Sequence, residues 1–352
     1  MASSDVFAVI MAGGSGKRFW PLSRENRAKQ SLALFSEKTL LAETIERIMP
    51  LTRDILIVSS IKQREHILAD ARRYDGVRTL FEPVGRNTAP CIALALRAIE
   101  RHWGGGHQVV VLPADHHIAR PDNFRAAIRT ALATLDTVDG IGTIGIRPDH
   151  PETGYGYINT GDILRPGVFA VKRFEEKPDR ARAETFVKSG NYLWNGGIFL
   201  FRQATMAREL AALTPDIFAG VGAIPDLDAI TAAQYGAVRS ISIDYAVMEK
   251  TAAPVFSVAG DFGWNDIGSW AGYYDLLPKD AAGNAVRGPV HFVESTGNLV
   301  VNLTDRPIFL LRKNGQLVIV TGDAMLTADL ADHQEVRRVT EYLEKSGLAA
   351  LL

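Results

Sequence analysis

Short apolar runs of strand length alternate with helix-period stretches through the first 150 residues, and this alternation limits the fold more than any other feature of the chain. Val6 to Met11, Asp54 to Ser59, Gln108 to Leu112 and Gly140 to Ile146 read as buried strands. Leu40 to Met49, Ala89 to Trp103 and Phe124 to Leu135 read as helices, with Pro90 suited to the first turn of the second. Alternation of this kind predicts an α/β, Rossmann-like domain built on a mixed, mostly parallel sheet. Past residue 150 the pattern changes. Strand-like segments at Tyr155 to Asn159, Val168 to Glu175 and Gly197 to Phe201 are separated by turns, with helical stretches at Arg180 to Lys188 and Thr205 to Leu213. From about residue 285 only short strands remain (VHFVES, NLVVNL, PIFLLR, QLVIVTG), followed by a helix over Gln334 to Lys345. The chain therefore divides into a large domain over residues 1–280 and a small β-rich, C-terminal domain over 285–352, with the boundary in the turn-rich stretch Pro278 to Gly288.

Charge and cysteine content narrow the function. The formal net charge is −1, so bulk electrostatics recruit neither nucleic acid nor an anionic membrane, and any anionic ligand has to be held by local groups. No apolar stretch approaches bilayer-spanning length. The start of the chain shows no basic flank, apolar run and cleavage site of a leader. Cys91 is the single cysteine, so no intrachain disulfide forms, which fits a cytoplasmic setting.

The first strand runs into MAGGSGKRFWPLS, residues 11–23. Glycines allow a sharp turn and let backbone N–H groups approach phosphate oxygens, and Lys17 and Arg18 add cations at the same place. Two familiar phosphate loops are excluded. A dinucleotide fingerprint needs a third glycine where Phe19 stands, and an acidic residue after the second strand, where the sequence has Ser59-Ser60. A P-loop needs glycine at Met11 and Ser or Thr at Arg18.

The run GGSGKRFWPLSRENRAKQ resembles instead the G-x-G-x-R-x-x-P-L motif, with its following lysine, of the sugar-nucleotide pyrophosphorylases. It is most similar to their mannose-1-phosphate guanylyltransferase branch, although Ala28 stands where that branch usually has proline before Lys29 and Gln30. FEPVGRNTAP, LPADHHI, TGYGYI, FEEKP, WNGGIFLF, SIDYAVMEK and GDFGWNDIGSW follow in the order of that branch's motifs. The resemblance implies a nucleotidyltransferase joining GTP and mannose 1-phosphate into GDP-mannose and pyrophosphate. It also implies a Mg2+ cofactor and a β-helix-like tail that contributes to a homodimer. Two alternatives stay open: the same chemistry on another pair, such as a heptose 1-phosphate or ATP, and a catalytically silent sugar-nucleotide sensor.

The chemistry accounts for most of these residue types. A sugar phosphate is already largely ionised near neutrality, so its attack on an α-phosphorus needs charge neutralisation and in-line placement rather than a general base. Magnesium takes one or two carboxylates and lets substrate phosphates complete its shell. By motif match Asp115 and Asp266 are the metal ligands, with Asp261 the substitute for Asp266. Arg18 and Lys29, with Asp115, are the catalytic candidates. Ala12, Gly13, Gly14, Gly16 and Lys17 are candidates for the nucleotide phosphates. Glu82 has the acceptor oxygens to read guanine N1–H and N2–H₂, with Arg86 and Asn87 serving base or ribose. The plainer reading of Glu82 is a turn residue before Pro83. Gly154, Glu176, Lys177, Asn195 and Gly196 are the sugar-phosphate candidates. His116 and His117 lack a third ligand at zinc spacing and read as loop residues. Tyr155, Tyr157, Trp194 and Trp264 read mostly as core.

Overall fold

The computed structural model describes residues 6–14 and 16–352; the leader reading at residues 1–5 and Ser15 of the glycine loop lie outside them. The chain forms two compact units from interleaved segments. One takes residues up to Gly13, Leu41–Ala114 and Ile118–Trp264; the other takes Gly14–Leu40, Asp115–His117 and Asn265–Leu352.

The first unit is a nine-stranded sheet. Its strands are β1 (Val6–Ala12), β2 (Ile55–Ser60), β3 (Val77–Glu82), β4 (Gln108–Pro113), β5 (Ile141–Ile146), β6 (Tyr157–Arg165), β7 (Val168–Glu175), β8 (Tyr192–Arg202) and β9 (Val255–Gly260). The spatial order is β3-β2-β1-β4-β8-β5-β9-β7-β6. Pairing is parallel from β3 to β4 and between β5 and β9. It is antiparallel where β8 enters between β4 and β5, and through the β6–β7 hairpin. The sheet is thus mixed, with its parallel half where helix and strand patterns alternate in the sequence.

Alternate residues of β1 bury on opposite faces, as a pleated strand requires. Phe7 and Val9 join the core that contains the helix Thr88–Trp103, while Ala8, Ile10 and Ala12 join the core that contains Leu41, Ile45, Phe124 and Ile128. Both faces are covered by helices, which explains why β1, β2 and β4 read as unbroken apolar runs.

β1 and β4 are parallel neighbours, so their C-terminal ends lie side by side, and Ala114 N–H donates to Met11 C=O at 3.0 Å there. Ligands of open α/β sheets bind outside such strand ends. The glycine loop leaves β1 at this edge, and Asp115 follows β4.

In the second unit, Ala285–Arg287 (β10), Leu299–Asn302 (β12) and Gln316–Val320 (β14) pair in parallel, while Val290–Val293 (β11) pairs in parallel with Ile308–Leu311 (β13). Repeated parallel pairing of every second short strand is the β-helix-like arrangement expected of the tail. Leu299, Val301, Leu317 and Ile319 point into a core that also buries Phe19, Trp20, Leu32, Trp270 and Tyr273. The segment after the glycine loop therefore packs in the same core as the tail strands. No helix among the described residues is long and apolar enough to cross a membrane.

Candidate active site

Gly14, Gly16, Lys17, Arg18, Lys29, Asp115, His116 and Asp266 line one cleft of about 280 Å³ in the second unit. Gly16 makes its geometry possible. Its φ is +62°, and a Cβ there would lie 2.5 Å from the Lys29 backbone nitrogen, so only glycine lets the loop close over Lys29. Ser23 Oγ then donates to Gly16 C=O at 2.7 Å and locks the turn.

Lys29 is buried, with its ammonium donating to Asp115 Oδ2 at 2.8 Å and to the backbone carbonyl of Asp266. Burial opposes the charge on Asp115. The Lys29 ammonium, helped by His116 and the Lys29 hydrogen bond, outweighs it and holds the carboxyl below its usual range. Asp115 is therefore ionised across the physiological range. Arg18 is exposed. Lys17 is ion-paired with Glu344 of the C-terminal helix Val336–Lys345.

The donor set fits a hard cation. Asp115 and Asp266 offer carboxylate oxygens on the wall of one cleft, and 35% of the Asp115 side chain is accessible. Among the described residues no group of three or more His, Cys, Asp or Glu side chains could hold a metal. A divalent ion here would draw its remaining ligands from phosphate and water, as magnesium does. Asp261 is exposed and ion-paired with Arg120, outside the cleft lining. His117 packs against Phe35, with ring centroids 4.2 Å apart.

The other candidates belong to the first unit. Ala12 ends β1, where its carbonyl accepts from Ser59 Oγ at 2.9 Å. Glu82 is no solvated turn residue. It is 4% exposed at the end of β3, and its Oε1 accepts from the Tyr235 hydroxyl at 2.6 Å. Burial pushes its carboxyl up to about 7, against the opposing Tyr235 bond. Its Oε2 lies 3.4 Å from where a Gly13 side chain would begin, so glycine at 13 keeps that oxygen approachable. Arg86 donates to the Gly236 carbonyl, and Asn87 Oδ1 caps the helix Thr88–Trp103 by accepting from Thr88 N–H at 2.8 Å. Both side chains are thus engaged in holding backbone.

Glu176 and Asn195 meet around Gly156. A Cβ at Gly156 would lie 2.7 Å from Glu176 Oε2 and 3.4 Å from Asn195 Cβ. Asn195 Nδ2 donates to Asp244 Oδ1 at 2.9 Å, and its Oδ1 accepts from Gly197 N–H at 3.0 Å. Lys177 is exposed and pairs with Glu176 at 3.1 Å. Gly154 N–H donates to Glu152 at 2.7 Å. Gly196 has a packing reason to be glycine, since a Cβ would lie 2.8 Å from the Ile144 carbonyl of β5. Tyr157 is fully buried, while Tyr155 packs edge-to-face on Trp194 and Trp264 with centroids 5.2 and 5.1 Å apart. Sequence reasoning assigned nothing to Asp244, Tyr235 or Gly156. Asp244 lay inside the quoted SIDYAVMEK and Gly156 inside TGYGYI, so position in a motif was the available signal. Tyr235 had none.

Residues 7–283 match the family model of the nucleotidyl transferases. The chain belongs to that family. Mannose-1-phosphate guanylyltransferases of Escherichia coli K12 and Klebsiella pneumoniae are 39% and 38% identical to it, over 99% and 96% of this chain and 75% and 74% of theirs. A crystal structure from Thermus thermophilus, described as a mannose-1-phosphate geranyltransferase, superposes with a TM-score of 0.86 at 36% identity, covering 97% of this chain and 99% of that one. This enzyme is therefore a nucleotidyltransferase, and its motifs and its similar relatives agree on one branch.

Proposed function

We propose that the enzyme transfers a guanylyl group from GTP to α-D-mannose 1-phosphate, giving GDP-mannose and pyrophosphate. The observation that carries this is the Lys29–Asp115 pair beside the glycine loop, in a chain 37–39% identical to relatives named for that reaction. Arg18 and Lys17 neutralise charge on the departing pyrophosphate, Lys29 charge near the α-phosphate, and the backbone amides of Gly13, Gly14 and Gly16 cradle the phosphates. Asp115 and Asp266 would hold magnesium, which supplies further charge neutralisation when bound. The Glu176–Asn195–Asp244 group takes the sugar hydroxyls, with Lys177 toward its phosphate. The test is pyrophosphate release across nucleoside triphosphates and sugar 1-phosphates. A pair preferred over GTP with mannose 1-phosphate sinks the substrate assignment; no release from any pair favours a sensor.

The metal assignment has its own test. Asp266→Asn is expected to raise the magnesium concentration for half-maximal rate at least about tenfold, while Asp261→Asn leaves it unchanged. The reverse pattern moves the second ligand to Asp261.

Guanine selection rests on Glu82. With Oε1 held by Tyr235, Oε2 is the oxygen left to accept from the guanine edge. Glu82→Gln is therefore expected to lower the ratio of kcat/KM for GTP over ATP, and an unchanged ratio removes Glu82 from base reading. A second readout is stability. The folded pKa is raised from 4.5 to about 7, so the contribution to stability is full below the unfolded value and is lost as pH rises through 7. Glu82→Gln escapes that loss. Its stability relative to the parent should improve between pH 5 and pH 8 by up to about 3 kcal/mol in denaturant titrations. A pH-independent difference would mean that Glu82 titrates normally in the fold.

A cytoplasmic homodimer completes the reading. Cys91 is buried and unpaired, so nothing here depends on an oxidising compartment. His291, Val293, Phe309 and Leu311 face outward in register on β11 and β13, and Phe309 is 67% exposed. Phe309→Asp is expected to shift sedimentation toward the monomer; an unchanged mass places the dimer contact elsewhere.

A further inference from the structure

A second cavity of the same unit, about 340 Å³, shares no residue with the cleft above. Arg24, Arg27 and Arg287 line it, and Asp323 is the one carboxylate among its lining residues. Asp323 is already committed. Both its oxygens accept from Arg24, at 2.9 and 3.1 Å, and Thr321 Oγ1 donates to one of them at 2.7 Å. Arg24 is further fixed by donating to the carbonyls of Pro21 and Ser23. Residues 24 and 27 close a tight turn through reciprocal backbone bonds of 2.8 and 3.1 Å, which roots the two arginines close together. Arg287 is oriented by a bond to the Ala33 carbonyl and by one to the buried Tyr273 side chain. The Arg27 side chain is exposed and makes no hydrogen bond or ion pair among the described residues. Among the lining residues, three guanidinium groups against one carboxylate leave a surplus of about +2.

We propose that this cavity binds a phosphomonoester, with Arg27 and Arg287 taking the phosphate dianion and the apolar side of the cavity taking part of the organic group. The charge surplus matches a dianion, and planar guanidinium donors suit its oxygens in pairs. Pro21, Leu22, Leu32 and Leu303 supply an apolar wall that free phosphate would not need. The volume lies at the lower end of small-molecule pockets, which run from about 300 Å³ upward. Because residues 21–33 form much of the wall, the ligand sits on the stretch of chain that joins Arg18 to Lys29.

The test is calorimetric titration of the full chain with glucose 6-phosphate and, separately, with inorganic phosphate. Glucose 6-phosphate carries no 1-phosphate and so cannot serve as acceptor in the main reaction. The parent should bind one glucose 6-phosphate saturably, and more tightly than inorganic phosphate. Arg27→Gln should weaken it about tenfold and Arg27→Gln/Arg287→Gln should abolish it, while Arg18→Ala leaves it unchanged. Arg27→Gln breaks no intramolecular bond, so the test survives if the double variant fails to fold. No saturable binding by the parent overturns the proposal, as does undiminished binding by Arg27→Gln. Loss of binding in Arg18→Ala would place the anion at the glycine loop instead. Equal affinity for inorganic phosphate would remove the role of the apolar wall and with it the ester.

Discussion

Lys29→Ala and Asp115→Asn are each expected to lower turnover by about 10²- to 10³-fold, the usual cost of removing one preorganised charged donor or its partner from a transition-state site. The two residues form a single unit. Lys29 is held by Asp115 Oδ2 and by the Asp266 carbonyl, so its ammonium has almost no freedom to reorganise as charge builds on the α-phosphate. Asp115 is ionised because Lys29 outweighs its burial. Removing either member disturbs both, so the double variant should lose far less than the product of the two single effects. Folding should suffer little in Asp115→Asn, since the carboxylate is partly open to water and its amide can still accept from Lys29. Steady-state kinetics separate the possibilities. If Lys29→Ala raises only the KM for mannose 1-phosphate and spares kcat, Lys29 serves the sugar phosphate and its assignment to the α-phosphate is wrong.

Gly16→Ala is expected to reduce turnover about 100-fold, because the added methyl is directed at Lys29. A methyl at Gly16 would lie 2.5 Å from the Lys29 nitrogen and 3.0 Å from its Cβ. Neither atom can swing aside as the end of a flexible side chain could. The added side chain must also hold a left-handed backbone conformation, at a cost of about 1–2 kcal/mol. Relief comes from moving the loop or Lys29, and a misplacement of about 1 Å at a reacting centre costs on the order of 10²-fold. Gly14→Ala is the control for stability: a Cβ there meets nothing within 4 Å, so its melting temperature should match the parent's. Gly16→Ala with parental turnover would show that the loop closes over Lys29 without needing glycine.

What could be read in advance was whatever leaves a local, periodic trace. β1, β2 and β4 are buried on both faces and therefore appear as unbroken apolar runs. The helix Thr88–Trp103 shows its period and its N-terminal proline. The glycine loop stood out because its cations and glycines fall within a few residues of each other, as a phosphate-cradling loop would require. The ordered motifs that followed carried the resemblance to one branch. The middle of the sheet was less legible. β8 was read only over Gly197 to Phe201, yet it runs over Tyr192–Arg202 and enters antiparallel between β4 and β5. Its partners are chosen by long-range backbone pairing, which leaves no mark in a short window of sequence.

Side-chain partnerships across long separations were likewise decided only by the tertiary structure. Tyr235 reaches Glu82 over 153 positions and turns a residue that reads as a solvated turn into a buried acceptor. Asp244 reaches Asn195 over 49, and Arg287 reaches the Ala33 carbonyl over 254. The glycine-loop segment, which the sequence joins to the large domain, buries Phe19, Trp20 and Leu32 in the core of the tail strands. From sequence alone, therefore, the chain declared its fold class and its family, and offered a glycine loop and two carboxylates as candidates for phosphate and metal. Which groups hold those residues at working distance was settled by folding, because a hydrogen bond between residues far apart in the chain depends on where the backbone carries them and not on their neighbours in sequence.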